Sequence, residues 1–250
     1  NRCVSEANGD VVVFTDTESM MDKYSIRNLV RNFVDDKVGA VSGEVVYDNK
    51  NDDFLIKGEV LYSKWQNIVL NLSGKIKTLA CVNNEFYAVR KEIYEEIKET
   101  GIPDYISIPI SILKKKYSVI YDPLAIVYKE NDLNIKQNYE AKVQKSIADL
   151  QSIKYLWNLI KSFRLITFIQ IVSFNVLLNI IGVIFLLIFI MNMFVLVDSV
   201  SVLMLAFQVI FYFAGLIRVS YVAFYFLFVN AVSLSAAARL IVKGIRYAKK

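Results

Sequence analysis

The C-terminal third of the chain carries the strongest constraint on its fold. Residues 165–197 form a run of 33 without a formal charge, and between Arg164 and Arg218 the only charged side chain is Asp198. A membrane-spanning helix needs roughly 20 apolar residues, and few soluble core helices are this long and this uniformly apolar. This region is therefore expected to enter a bilayer. Asn175 and Asn179 lie in the first half of the run, which is expected to follow the interface or pack against protein. The spans are then placed at about 180–197, 199–217 and 219–238. An odd number of crossings would put the basic tail opposite the soluble part, against the positive-inside tendency; with a cytoplasmic tail, one apolar stretch does not cross.

Charge follows the same division. Up to Arg164 there are 23 basic and 23 acidic residues, and beyond it six basic residues face one acidic, which accounts for the whole net +5. The basic balance thus describes a membrane-flanking tail, and nucleic acid is not expected as a partner. Cys3 and Cys81 are too few for a disulfide framework, so a reduced, cytosol-facing soluble part is expected. The chain has no histidine, which excludes imidazole bases, His-ligated zinc and Ser-His pairs.

The soluble part reads as α/β. Val11, Val12, Val13 and Phe14 are four apolar residues in a row, three of them β-branched, as in a strand buried on both faces of a parallel sheet. Asp16 stands where that strand should end, with Glu18 two residues on. In open α/β sheets ligands bind beyond the carboxyl ends of strands, and two carboxylates at i and i+2 there can hold a divalent cation and, through it, a diphosphate. The plainer reading, a strand closing in an acidic turn, is about equally supported by these residues alone.

Further along, 24–35 places Ile26, Leu29, Val30 and Phe33 at helical spacing, and 38–47 is a strand whose Gly39 and Gly43 permit close approach of another backbone or a ligand. A helix is expected over 54–75, two short strands over 79–90 around Asn83-Asn84, a short charged helix over 91–100, and a helix beginning at Pro103-Asp104. Strands are expected at 117–121 and 125–128, hinged at Asp122-Pro123, and a polar helix over 131–161 leading to the interface.

A soluble α/β half with an acidic strand end, followed by membrane helices, resembles the membrane-bound family 2 glycosyltransferases, the group of the cellulose, hyaluronan and chitin-oligosaccharide synthases. Val-Val-Val-Phe-Thr-Asp-Thr-Glu at 11–18 is similar to their strand leading to the D-x-D metal motif, and Val-Gly-Ala-Val-Ser-Gly at 38–43 follows at a compatible spacing. Phe86 to Lys91 resembles their acceptor-region segment ending in a basic pair. Residues 117–125 resemble the strand after the catalytic helix, Glu130 the acid that follows it, and 221–240, with Phe226 and Asn230, their last membrane segment.

The resemblance implies a partial GT-A-like, mostly parallel sheet with covering helices over 1–132, a linker with interfacial helices over 133–179, and transmembrane helices with a basic tail over 180–250. It implies sugar transfer, with inversion, from a nucleotide-diphosphate sugar to a glycan or lipid-linked acceptor. Mg2+ or Mn2+ on Asp16 and Glu18 would neutralise the leaving diphosphate, and a carboxylate would act as base. In the family that base is usually the second of two adjacent acids, a place held here by Tyr105, with Asp104 before it. Asp104 is the candidate base, and a helix N-cap is its plainer role. Arg90, Tyr105, Lys142, Gln144 and Lys145 are the implied substrate contacts; Gln144 stands where the family's Q-x-x-R-W segment has arginine, and Asn84 where a glycine is usual.

The implied location is the plasma membrane, multi-pass, with the catalytic part cytoplasmic, and an upstream nucleotide-binding stretch is expected before Asn1. The substitutions at Tyr105 and Gln144 keep a second reading open, a non-catalytic subunit of a synthase complex.

Overall fold

A computed structural model describes residues 1–47, 53–76, 78–97, 103–129, 134–160, 169–170, 173, 178–194 and 199–248. The chain divides into two compact units. One comprises Asn1–Lys50, Val60–Asn131 and Lys154–Phe174, the other Asn51–Glu59, Asp132–Ile153 and Asn175–Lys250. Glu130, Lys161, Arg164, Asn175 and Asp198 lie outside the described residues.

The first unit is built on a five-stranded sheet of β1 (Val11–Thr15), β2 (Ser19–Met21), β3 (Val38–Tyr47), β4 (Phe86–Arg90) and β5 (Ser118–Lys129), in the order β1-β4-β3-β5-β2. The expected parallel character is confined to one neighbouring pair, β3 with β5; β1–β4, β3–β4 and β2–β5 are antiparallel, so the sheet is mixed. β4 enters between β1 and β3 and runs against both, and at the other edge β2 runs against β5. β1 ends at Thr15 as expected, but it is an edge strand whose apolar run is only half-buried. Leu79–Val82 is buried without forming a strand, and one strand, β4, replaces the expected two. β5 is continuous across Asp122-Pro123: its ladder with β3 jumps from Ser42↔Tyr121 to Glu44↔Ile126, so the hinge is absorbed as a bulge. Gly43 lies in that jump, where a Cβ would stand 2.6 Å from the Ala125 carbonyl and inside the Phe86 ring.

Side-chain alternation divides the core between the two sheet faces. On one face Ala40, Tyr87, Val89 and Val119 pack with Leu70 of α3 (Phe54–Ile76) and with Ile108 and Ile112 of α4 (Asp104–Lys114). On the other, Val41, Val45, Phe86, Ala88 and Val127 pack with Leu29 of α2 (Ser25–Val30) and with Phe33 of the 3-10 turn Arg31–Val34. Ile26 and Val30, expected on the buried stripe of α2, are exposed, because the stripe that meets the sheet runs through Ser25, Leu29 and Phe33. Residues 91–93 make a single 3-10 turn where a longer helix is expected. An N-terminal helix α1 (Arg2–Glu6) precedes the sheet.

α4 contains Pro109, which has no N–H to offer the carbonyl of Tyr105 four residues back. That carbonyl instead accepts the backbone N–H of Val82 at 3.2 Å. The first turn of α4 is thereby tied to the buried 79–82 segment.

In the second unit, α5 (Ile135–Ile160) supplies Val143 and Ile147 to the interior. Three apolar helices follow: α6 (Leu178–Phe194), α7 (Ser199–Leu216) and α8 (Tyr221–Ala248). Within α8, Tyr221–Val242 is 22 residues long and, among the described residues, the one helical stretch long and apolar enough to cross a membrane; Ile180–Phe194 and Val200–Leu216 are shorter apolar helices. A Cβ at Gly182 of α6 would collide with Asn230 of α8, so the backbones pass closely there. Asn192 donates to Gln208 at 2.9 Å between α6 and α7, and Arg239 holds Glu140 through two bonds of 2.8 and 3.0 Å.

Candidate functional site

β1, β3 and β5 point the same way and β4 the opposite way, so one end of the sheet collects the carboxyl ends of three strands and the start of the fourth. Asp16 follows β1, Tyr47 and Lys129 close β3 and β5, and Glu85 precedes β4. The Asp16 N–H donates to the Glu85 carbonyl at 3.2 Å, which extends the β1–β4 ladder by one step and sets the two acids side by side.

The charge between them belongs to Lys129. Its ammonium lies 3.0 Å from Asp16 Oδ2, 3.1 Å from Glu85 Oε1 and 4.0 Å from Glu18 Oε2. The Tyr47 hydroxyl donates to Glu85 Oε1 at 3.2 Å, and Glu85 Oε2 is buried with no hydrogen-bond partner among the described residues. The hydrogen bond from Lys129 holds the Asp16 carboxyl below the ordinary carboxylate range. Burial opposes the charge on Lys129, but Glu85 and Asp16 together outweigh it and raise the ammonium's pKa.

These oxygens are of the type Mg2+ and Mn2+ prefer, at about 2.0–2.2 Å. As arranged they do not fit such an ion. An ammonium stands between Asp16 and Glu85, and among the described residues no three His, Cys, Asp or Glu side chains are grouped to hold a metal.

Asp104 occupies the first helical position of α4, with Pro103 at the cap; there its charge faces the positive end of the helix. Its Oδ1 accepts the Tyr105 backbone N–H at 2.9 Å and its Oδ2 accepts the Tyr87 hydroxyl at 2.9 Å. The Tyr87 ring, fully buried, stacks on Phe14 with centroids 4.7 Å apart. Burial first, and Asp104 second, push the Tyr87 phenol far above its ordinary pKa, so it stays a neutral donor. Phe14 and Tyr87 are cross-strand partners, and Asp16 and Glu85 follow two steps on at the same end of the ladder. The two acids bond there with Lys129 and Tyr47, which alternation places with Val127 and Val45 on the face opposite Tyr87. Asp16 and Asp104 thus share one end of the sheet.

The remaining expected residues are placed elsewhere. Arg90 pairs with Val11 at the far end of the β1–β4 ladder, about 17 Å of strand from Asp16 at roughly 3.3 Å per residue. Its guanidinium donates to the carbonyls of Phe33, Asp35 and Val38 and lies over the Phe33 ring, 5.6 Å from its centroid. The Tyr105 side chain packs half-buried against the core. Lys142, Gln144 and Lys145 belong to α5 in the second unit. There Lys142 is paired at 2.5 Å with buried Glu59, which also accepts the Asn138 amide at 3.3 Å, while Gln144 and Lys145 are exposed.

Glu85, Lys129, Tyr47 and Tyr87 are site residues that sequence reasoning does not single out. A signal for the first three exists in the charged or phenolic residue at each strand end, but its use requires the strand directions.

No protein-family model matches the chain, and no curated protein is similar to it in sequence. Among solved structures, its fold matches that of the mannosyltransferase PcManGT from Pyrobaculum calidifontis, determined in complex with GDP-Man and Mn2+. The TM-score is 0.67 at 14% identity, over 95% of this chain and 64% of that one. The chain therefore shares the fold of that mannosyltransferase, and it spans under two thirds of the length of that chain.

Proposed function

We propose that the protein is a membrane-bound glycosyltransferase that moves a sugar from a nucleotide-diphosphate donor to a glycan or lipid-linked acceptor, with inversion at the anomeric carbon. The observation that carries this reading is Asp104, fixed by Tyr87 and the Tyr105 amide at the end of the sheet where Asp16 stands, in a chain whose fold matches that of a mannosyltransferase.

Asp104 takes the proton from the acceptor hydroxyl as its oxygen attacks the anomeric carbon. The bond from that carbon to the diphosphate oxygen breaks, and the nucleoside diphosphate leaves with both electrons. In reactions of this kind a divalent cation, when bound, neutralises the leaving diphosphate. In this chain Lys129 supplies a positive charge beside Asp16. This reading takes α6, α7 and α8 as membrane segments of a multi-pass plasma-membrane protein with the first unit cytoplasmic; what supports it is the apolar character of the three helices, of which Tyr221–Val242 is long enough to cross.

A non-catalytic role in a synthase complex is favoured by one observation, the consumption of Asp16 and Glu85 by Lys129. Nucleotide-sugar hydrolysis and transfer, assayed in membranes carrying the protein with GDP-mannose and other donors, separates the two. The enzyme reading expects turnover that falls at least about a hundredfold in Asp16→Asn and Asp104→Asn. Equal activity in all three proteins refutes the site, and no activity in any supports the scaffold.

A further inference from the structure

α3 meets the sheet with one face and leaves an apolar one exposed. Ser63, Asn67 and Leu70 are buried, and the Ser63 hydroxyl and the Asn67 amide both donate to the Val45 carbonyl, at 3.0 and 2.9 Å, which fixes the rotation of the helix. On the opposite side Leu61, Trp65, Ile68 and Leu72 fall into one stripe at helical spacing and stand 46–58% exposed. Lys57, Lys64 and Lys75 recur along one flank of that stripe, the last two exposed, while the one acid of the helix, Glu59, is buried. The outward side of α3 therefore carries apolar and cationic groups and no carboxylate of its own.

The first turns of α3 lie against one end of the apolar stretch Tyr221–Val242. Phe54 meets Phe224 edge-on with centroids 6.5 Å apart, and a Cβ at Gly58 would collide with the Tyr225 side chain. Cations gather over the same rings: Lys57 Nζ is 6.0 Å from the Phe54 centroid, and the Arg218 guanidinium is 5.0 Å from that of Phe224. Aromatic rings with basic side chains at the end of an apolar helix are the chemistry of the headgroup level of a bilayer. We propose that the exposed stripe of α3 over 61–72 is a docking surface for lipid with anionic headgroups. Its apolar side chains would enter the headgroup–acyl boundary by about 5–10 Å, and Lys64 and Lys75 would reach up to lipid phosphates. Charge selects lipid over a protein partner: lysines along one flank, with no exposed acid on the helix, match a continuous anionic plane, and a tryptophan among aliphatic residues matches its depth. The inference rests on the reading of α6, α7 and α8 as membrane segments and adds to it a surface on a helix that does not cross.

The test reconstitutes the full chain into phosphatidylcholine vesicles with and without phosphatidylglycerol and reads the fluorescence of Trp65, isolated by Trp157→Phe because the chain has no other tryptophan. With phosphatidylglycerol present, a nitroxide near the head of the acyl chain should quench Trp65 at least about twofold more than one near its end, and aqueous acrylamide should quench it weakly. Omitting phosphatidylglycerol, or introducing Lys64→Glu with Lys75→Glu, should lower the nitroxide quenching at least about twofold. Trp65 open to acrylamide and untouched by either nitroxide overturns the proposal. Trp65 shielded from acrylamide and nitroxides alike also overturns it, since a protein surface then covers the stripe, and equal nitroxide quenching with and without phosphatidylglycerol overturns the choice of anionic lipid. Flotation with the vesicles tests the membrane reading separately: protein that floats with Trp65 in water overturns the α3 surface alone, and protein that does not float overturns both. If Trp157→Phe does not fold, the difference in emission between the unsubstituted protein and Trp65→Phe gives the same signal.

Discussion

Replacing Tyr87 with phenylalanine isolates the contact that holds Asp104. The ring is fully buried and stacked on Phe14 at 4.7 Å with planes 10° apart, and phenylalanine keeps both the volume and the stack. What disappears is one 2.9 Å bond from a neutral phenol to a carboxylate. A hydrogen bond to a charged group contributes about 1.5–3 kcal/mol. Asp104 is half-buried and water can replace part of the lost bond, so the lower figure applies. About 1.5 kcal/mol corresponds to roughly a tenfold change in an equilibrium or a rate. Tyr87→Phe should therefore lower the denaturant midpoint by an amount equivalent to ~1–1.5 kcal/mol. It should also slow sugar transfer about tenfold, with KM for the donor unchanged, since the phenol aligns the base and does not touch the donor. Transfer in purified protein, alongside denaturant melts of the same samples, checks both. Full activity in Tyr87→Phe with activity lost in Asp104→Asn would refute the positioning role. A stability loss well above 3 kcal/mol would mean that the ring had moved and the bond had not been isolated.

Two other perturbations test the frame of the site. Gly43→Ala places a methyl group against the Phe86 ring and the Ala125 carbonyl, both immobile in the core, and overpacking of this kind costs about 1–3 kcal/mol; an unchanged denaturant midpoint would contradict the close approach at the β3–β5 bulge. Burial raises the Glu44 carboxyl above its ordinary value of 4.5, against the bond from the Tyr121 hydroxyl. A raised carboxyl favours the folded state while protonated, so this contribution is complete below pH 4.5 and lost as pH rises through the folded value. Glu44→Gln should flatten that slope and gain on the unsubstituted protein between pH 4.5 and 7, as read from midpoints across that range; parallel profiles would refute it.

What could be read without coordinates was local. β1 and β3 come from runs of β-branched residues, and β3 is found over Val38–Tyr47 with both glycines at close approaches. α3 and α4 follow from apolar spacing and from the polar or proline residues before them. Hidden were the features that depend on strand direction. Nothing in Phe86–Arg90 announces that β4 runs against β1 and β3, so a parallel sheet was the natural expectation. Ser19–Met21 is too short to carry a period, so β2 was not foreseen. Asp16 was found because its neighbours in the chain mark a strand end. Lys129, its partner in space, lies 113 positions away and has no local sign of the pairing. Arg90 shows the converse: a basic residue at a motif-like place is fully engaged in bonding three carbonyls far from the acids.

The wide sequence separation of the Asp16 and Lys129 contact has a consequence for biosynthesis. Loop closure on that scale rewards nothing until the intervening β3, β4 and β5 are in register, so this ion pair belongs among the late events of folding. Until then the strand tip carries negative charge that no ammonium balances. A nascent chain stalled before residue 129 would display Asp16 and Glu18 without the ammonium that faces them in the folded protein.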